Sequence, residues 1–285
     1  MAKDTAFCAK RTLNRKGKLL LLDEPIVMGI LNLAPDSFYD GGRYTDVDIA
    51  IHRAGEMLEE GTRIIDIGAC STRPGAEPVT EKAELHRLIP VIKGIVEQFP
   101  GVVISVDTFR AEVALRSVEA GASIINDISA GSMDGEMFAL AASLPVPYVL
   151  MHMQGNPQNM QINPHYNDVI GELMDFFTEK VAALRAMGKT DIILDPGFGF
   201  GKSLEHNYRL LNALDAFRIF ELPVLVGMSR KSMIWKALDS TPENALHGTV
   251  AANTIALMNG AGILRVHDVK PAVEAICIAG LTKNS

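Results

Sequence analysis

Eight short apolar runs, separated by stretches of helical periodicity, restrict the fold of this chain more than any other feature. They occupy residues 26–31, 64–67, 102–106, 124–128, 148–151, 192–194, 224–226 and 263–266. Each is too short for a buried helix and reads as a strand covered on both faces, the habit of parallel sheets. Between them one helical face stays apolar. Val47, Ala50, Ile51, Ala54, Met57 and Leu58 follow Thr45 as N-cap, and Leu85, Leu88, Ile89, Ile92 and Val96 follow Thr80. Leu210, Leu211, Leu214 and Phe217 make another such face. Eight strand-and-helix units in about 260 residues match the size of a (β/α)8 TIM barrel. A doubly wound open sheet competes, but it more often carries a phosphate fingerprint after its first strand, and none stands here. Residues 13–19 look like a β-hairpin ahead of the barrel, with Gly17 free to take a positive-φ turn position. The expectation is one α/β domain over residues 1–285, its first 24 residues forming an N-terminal hairpin segment.

Charge and cysteine usage narrow the class of function. A net charge of −7 argues against a nucleic-acid or anionic-membrane surface, while leaving room for a local basic pocket. Cys8, Cys70 and Cys277 lack metal-ligand spacing and read as reduced thiols. The first residues lack an apolar signal region, and no run of apolar residues is long enough to span a bilayer. These features predict a soluble, cytoplasmic protein.

The sixth run leads into Asp195-Pro196-Gly197-Phe198-Gly199-Phe200-Gly201-Lys202-Ser203. Pro196 ends the strand, and glycines at alternate positions let the backbone bend tightly. The spacing fits neither a P-loop nor a dinucleotide fingerprint. What remains is a strand-end carboxylate beside a tight loop, a design repeated around the chain. Asn32, Asp66, Asp107, Asn126, His152, Asp195, Ser229-Arg230-Lys231 and Arg265 with His267 all stand at or just after strand ends. In a barrel, those ends and the loops beyond them build the active face.

Two groups stand out. Asp107, Asn126, Asp195 and Lys231 suit a flat heterocycle with an amino-amidine edge, since buried carboxylates need donors; a structural Asp–Lys ion pair is the plainer reading. Arg265 and His267, two apart on an extended backbone, face the same way and suggest an anion site. Asn32 would add an oxygen to a Mg²⁺ screening such an anion. The plainer reading has Arg265 capping a helix and His267 bonding locally. Loops at 35–42 and 71–78 are longer than their connecting job and suggest lids. His152 lacks a partner at i+4, and Cys70 lacks a nearby base, so neither enters the expected site.

Taken together these segments resemble the dihydropteroate synthase family. Met28-Gly29-Ile30-Leu31-Asn32 with Pro35-Asp36-Ser37-Phe38, Ser71-Thr72-Arg73-Pro74-Gly75, Ser105-Val106-Asp107-Thr108, Asn126-Asp127-Ile128, the Asp195–Lys202 loop, Ser229-Arg230-Lys231-Ser232 and Arg265-Val266-His267-Asp268 occur in that family's order. The resemblance implies a pterin-binding barrel condensing 6-hydroxymethyl-7,8-dihydropterin diphosphate with p-aminobenzoate, releasing pyrophosphate. It implies that Asp107, Asn126, Asp195 and Lys231 hold the pterin. Asn32, Arg265 and His267 would take the diphosphate, with Asn32 on Mg²⁺. Thr72, Arg73, Pro74, Phe200, Lys231 and Ser232 would shape the aminobenzoate site, and Asp36, Lys231, Arg265 and His267 are the expected catalytic groups. A homodimer and competition by sulfonamides are implied as well.

Two positions depart from the family pattern: Ala34 where Thr is common, and Ala69-Cys70 where Gly-Glu is frequent. A methyltetrahydrofolate–corrinoid methyltransferase would share the pterin pocket without needing the Arg265/His267 pair. A non-catalytic pterin-binding module is the remaining alternative.

Overall fold

The computed structural model describes residues 11–33, 46–69 and 79–284. Asp36, Thr72, Arg73, Pro74, Thr45, Cys8, Cys70 and both long loops lie outside the described residues. The chain opens with a hairpin, β1 (Thr12–Arg15) and β2 (Lys18–Leu21), and then alternates strands and helices. The order is β3 (Ile26–Asn32), α1 (Asp46–Glu59), β4 (Ile64–Gly68), α2 (Glu81–Gln98), β5 (Ile104–Asp107), α3 (Ala111–Ala120), β6 (Ile124–Asp127) and α4 (Met137–Ser143). It continues with β7 (Tyr148–Met151), α5 (Val169–Ala186), β8 (Ile192–Asp195), α6 (Leu204–Asn212), β9 (Leu225–Val226), α7 (Ser232–Trp235), α8 (Leu246–Met258), β10 (Ile263–Val266) and α9 (Val269–Asn284).

The eight strands β3 to β10 form one parallel sheet in the order β8-β7-β6-β5-β4-β3-β10-β9. A parallel bridge between Leu194 and Val224 joins its two ends, and the Leu194 N–H donates to the Pro223 carbonyl at 2.9 Å. Neighbours in sequence are neighbours around the ring, so the sheet is a (β/α)8 barrel and not a doubly wound sheet. The expected strands at 148–151 and 263–266 coincide with β7 and β10.

Side chains alternate across each strand, which sorts the sequence into two layers. Outward residues such as Ile65, Ile67, Ile104 and Val106 pack on α1, α2 and α3 through Ala50, Ala54, Leu88, Ile92 and Val113. On the other side Leu150, Ile192, Leu194 and Leu264 meet Phe177, Leu210 and Ala256. Thr80 caps α2 as expected, accepting from the Ala83 N–H at 3.3 Å. Inward residues at the amino ends, among them Met28, Ile64, Ile124, Val149, Ile193 and Ile263, close into an apolar floor.

The hairpin lies beneath that floor and completes it. Leu13 and Leu20 belong to the same apolar cluster, while the Lys16 N–H donates to Pro145 and the Asn14 N–H to Asp191. Its turn takes φ +55° at Lys16 and +83° at Gly17. Two successive left-handed residues are what a two-residue turn needs to match the strand twist. Lys16 carries that conformation without being a glycine, and its Nζ bonds back to the Val118 carbonyl at 2.5 Å.

Candidate active site

Continuing the alternation upward, the next inward positions on these strands are polar: Asp66 after Ile64, Asp107 after Ser105, Asn126 after Ile124, Asp195 after Ile193 and Arg265 after Ile263. Register sets them side by side, with Gly68 paired between Asn32 and Asp107, and Asp107 paired to Asn126. Gly68 matters for this packing, because a Cβ there would stand 3.3 Å from that of Asp107.

Arg265 is the hub of the group. Its Nε donates to Asp66 at 2.6 Å and its Nη2 to Asp107 at 2.6 Å. Asn126 donates its amide to both oxygens of Asp66, at 3.1 and 3.3 Å. Asp66 is wholly buried and Asn126 nearly so. Burial works against the guanidinium's charge, but Asp66 and Asp107 outweigh it and the Arg265 pKa is raised. Asp107 experiences the opposite balance: burial raises its pKa and Arg265 pulls it back. Arg265 thus sits at the same mouth as Asp195, its fork engaged by two carboxylates.

Asp195 ends β8 and accepts from the Gly197 N–H at 2.8 Å. Burial raises its pKa against the pull of Lys231, the Gly197 N–H and Arg265. Lys231 precedes α7 and turns toward the loop after β8. Its Nζ donates to the Phe198 carbonyl at 2.6 Å and stands 4.3 Å from the centre of the Phe200 ring. Burial lowers its pKa to about 8 despite Asp195. Phe200 itself packs against Ile128, Met151 and Met160, with its ring face under the lysine nitrogen. Ser232 begins α7 next to it.

His267 and Ser229 tie the ends of β10 and β9 together. The imidazole Nδ1 and the Ser229 hydroxyl are 3.0 Å apart, and the His267 N–H donates to the same oxygen at 3.2 Å. Arg230, one of the cations expected at this end, turns outward instead and forms a two-point pair with Asp268 at 3.0 and 2.7 Å. Asn32 stands at the end of β3, two strands from Asp107.

Three residues outside the expected site join or support it. Asp66 was visible only as one polar strand end among several; the signal that singles it out is its inward parity with Ile64. His152 and Lys202 lie fifty positions apart, yet the Lys202 Nζ is 2.9 Å from the His152 Nδ1. Both are buried. No local spacing rule could have paired them, since the contact exists only once β7 and β8 are neighbours.

A parallel barrel with buried carboxylates, an amide and cations gathered at its carboxyl mouth defines an enzyme or binder of a small, nitrogen-rich solute. The model of the family described as pterin binding enzyme matches residues 28–267. Over 269 residues the chain is 49% identical to dihydropteroate synthase of Escherichia coli K12, covering 94% of this chain and 95% of that one. Its identity to the Synechocystis dihydropteroate synthase is 48% over 254 residues, 88% of this chain and 87% of the relative. A crystal structure of the Yersinia pestis enzyme with a sulfonamide drug complex superposes with a TM-score of 0.90 at 47% identity, covering 96% of this chain and all of that one. The Xanthomonas albilineans enzyme with 4-aminobenzoic acid gives 0.90 at 41% identity, covering 97% and 100%. The chain belongs to the pterin-binding enzymes, and among them to the dihydropteroate synthases.

Proposed function

We infer that this chain condenses 6-hydroxymethyl-7,8-dihydropterin diphosphate with p-aminobenzoate, giving 7,8-dihydropteroate and pyrophosphate. The observation that carries the reading is the single mouth in which Asp66, Asp107, Asn126 and Asp195 meet Arg265 and Lys231. A pterin edge is rich in N–H donors and ring acceptors. Asp195 and Asp107 take the donors, Asn126 and Lys231 the acceptors. Carboxylates held inside a barrel by this few donors are completed by such a ligand.

The reaction breaks the bond between the pterin methylene carbon and the diphosphate oxygen. The electron pair leaves with pyrophosphate, the aniline nitrogen forms the new C–N bond, and its extra proton is released. No covalent nucleophile is required; the protein's part is to stabilise the leaving charge and hold the amine in line. Arg265 and His267 face the departing group, Asn32 lies on their side of the mouth, and Phe200 with Ser232 and Lys231 supports the aryl ring. Asp36, Thr72, Arg73 and Pro74, which lie outside the described residues, are proposed to take part as the family resemblance implies.

Mg²⁺ fits these residues as a partner of the diphosphate. Among the described residues no group of three or more acidic, His or Cys side chains stands ready for a metal. Mg²⁺ commonly keeps waters and phosphate oxygens around one or two protein ligands, which suits a lone Asn32 oxygen. When bound it would offset negative charge on the leaving group.

A homodimer is supported by Ile255, Met258, Ile278 and Leu281, large apolar side chains exposed on α8 and α9. No helix among the described residues is long and apolar enough to cross a membrane, and the reduced-thiol reading of the cysteines supports a cytoplasmic location. Sulfonamides, as analogues of the aromatic amine, compete for its half of the site. The deciding assay mixes both substrates with Mg²⁺ and follows pyrophosphate and dihydropteroate, with and without a sulfonamide. Stoichiometric release, slowed by the drug and restored by excess p-aminobenzoate, is expected. Tight pterin binding without release means a non-catalytic module, and methyl transfer to a corrinoid means the other enzyme class.

A further inference from the structure

The loop after β8 has no regular structure, yet each backbone carbonyl from residue 197 to 201 has a partner. Gln161 donates to the Gly199 carbonyl at 2.6 Å, Tyr166 to Gly201 at 2.9 Å, and Lys231 to Phe198 at 2.6 Å. The other two, Gly197 and Phe200, are both bound by the Lys202 Nζ, at 3.0 and 3.1 Å. The third close contact of that nitrogen is the His152 Nδ1 at 2.9 Å. A fourth acceptor, the His152 carbonyl, lies farther off at 3.5 Å, so the three N–H donors of the protonated amine have three close acceptors. His152 is suited to accept because burial, and then the Lys202 charge, lower its pKa to about 2, so the ring stays neutral. Its position is fixed by the edge of Phe176, with ring centres 4.8 Å apart.

The loop cannot rest on the neighbouring strand end through side chains. A Cβ on Gly197 would fall 1.8 Å from the His152 carbonyl, and one on Gly201 2.6 Å from that of Gln154. Backbone therefore lies on backbone, with the Lys202 Nζ as the donor that ties them; burial lowers its pKa to about 7 against the pull of Asp195. Two features of the aryl side hang from this loop: the Phe198 carbonyl that anchors Lys231, and the Phe200 ring over which Lys231 stands.

We propose that Lys202, seated on His152, is a positioning residue for the arylamine half of the reaction, fixing the Gly197–Gly201 turn so that Phe200 and Lys231 present one surface to the incoming amine. It touches neither substrate. The idea rests on the function inferred above for this mouth, and its test separates the two.

Three variants, K202M, H152L and H152Q, are compared with the parent by steady-state kinetics for each substrate and by amide hydrogen exchange. The parent's own turnover tests the function. In K202M and H152L the KM for p-aminobenzoate is expected to rise roughly ten-fold or more, while affinity for a pterin lacking the diphosphate changes less than about three-fold. H152Q, which restores an acceptor without the ring, should recover most of the loss. Amides of residues 197–201 should exchange faster in K202M while those of β7 and β8 do not. A folded K202M with an unchanged p-aminobenzoate KM overturns the proposal, as does an equal loss for both substrates. If K202M does not fold, equal KM values in H152L and H152Q overturn it. Should the parent prove inactive, the function fails, and unchanged loop exchange in the variants still refutes the tie.

Discussion

Replacing Arg265 with methionine tests the inner architecture of the mouth most directly. The stem is retained, so packing along the barrel wall is largely preserved, and the guanidinium alone is lost. Two charge-assisted bonds of 2.6 Å disappear, one to Asp66 and one to Asp107. Asp66 is wholly buried, the Arg265 side chain is 18% exposed and that of Asp107 12%, so water replaces little of what is removed. Breaking a buried pair by deleting one partner costs about 3–5 kcal/mol. Two lost bonds to charged groups, at roughly 1.5–3 kcal/mol each, arrive at the same scale. Against a total stability of about 5–15 kcal/mol the variant should fold but unfold much earlier in urea.

The variant also leaves two carboxylates facing each other with the shared cation gone, which raises the pKa of one of them. A carboxyl whose folded pKa lies above its unfolded value favours the folded state at low pH and loses that contribution as pH rises. The cost of R265M relative to the parent, each measured at the same pH, should therefore be largest near about pH 8 and smaller near about pH 5.5. Adding Asp66→Asn removes the like charge and should return about 1–3 kcal/mol at the higher pH, a coupling read from the double-mutant cycle. A cost under about 1 kcal/mol, or one independent of pH, would show that the Asp66–Arg265–Asp107 cluster does not carry the charge balance described.

Asp195→Asn should weaken pterin binding by about 1.5–3 kcal/mol, the scale of a charged hydrogen bond, and an unchanged affinity by calorimetry would remove Asp195 from the pterin site. Gly197→Ala combines a φ of +70° with a Cβ 1.8 Å from the His152 carbonyl. It should lower the thermal midpoint well beyond the effect of Gly188→Ala, where φ is +88° but space is open. Lys231, with its pKa lowered to about 8 by burial, should lose its charge and with it kcat/KM for the pterin substrate as pH rises through that value, a fall that Lys231→Arg removes. For stability the sign is opposite. Between about 8 and the ordinary 10.5 the unfolded chain holds a proton the folded one has released, so this group's contribution to stability rises with pH.

The barrel was legible because its strands are apolar on both faces and end at polar or breaker residues, as at Asp107 and Asp195. Periodicity placed those ends and the resemblance assigned their roles. Partnership is where sequence reasoning stops. The plainer reading of Lys231 paired it with an aspartate, but its nearest acceptor is a backbone carbonyl that exists in that position only because three glycines fold the loop back. Arg230 looked equivalent to its neighbours, yet its φ of +56° turns it toward Asp268. Asp66 has no flanking motif, and its importance comes from parity and from a strand two hundred residues away. Each of these depends on which strands are adjacent, information a linear pattern does not hold.

The hairpin under the barrel has a kinetic corollary. With Leu13 and Leu20 stoppering the far end of the ring, the cavity is a well with one rim. Whichever ligand settles on the fully enclosed Asp66–Asn126 rung must enter ahead of its companion and depart after it. The bicyclic substrate would therefore be first in and last out, with the aromatic amine arriving over its top and pyrophosphate escaping by the same way.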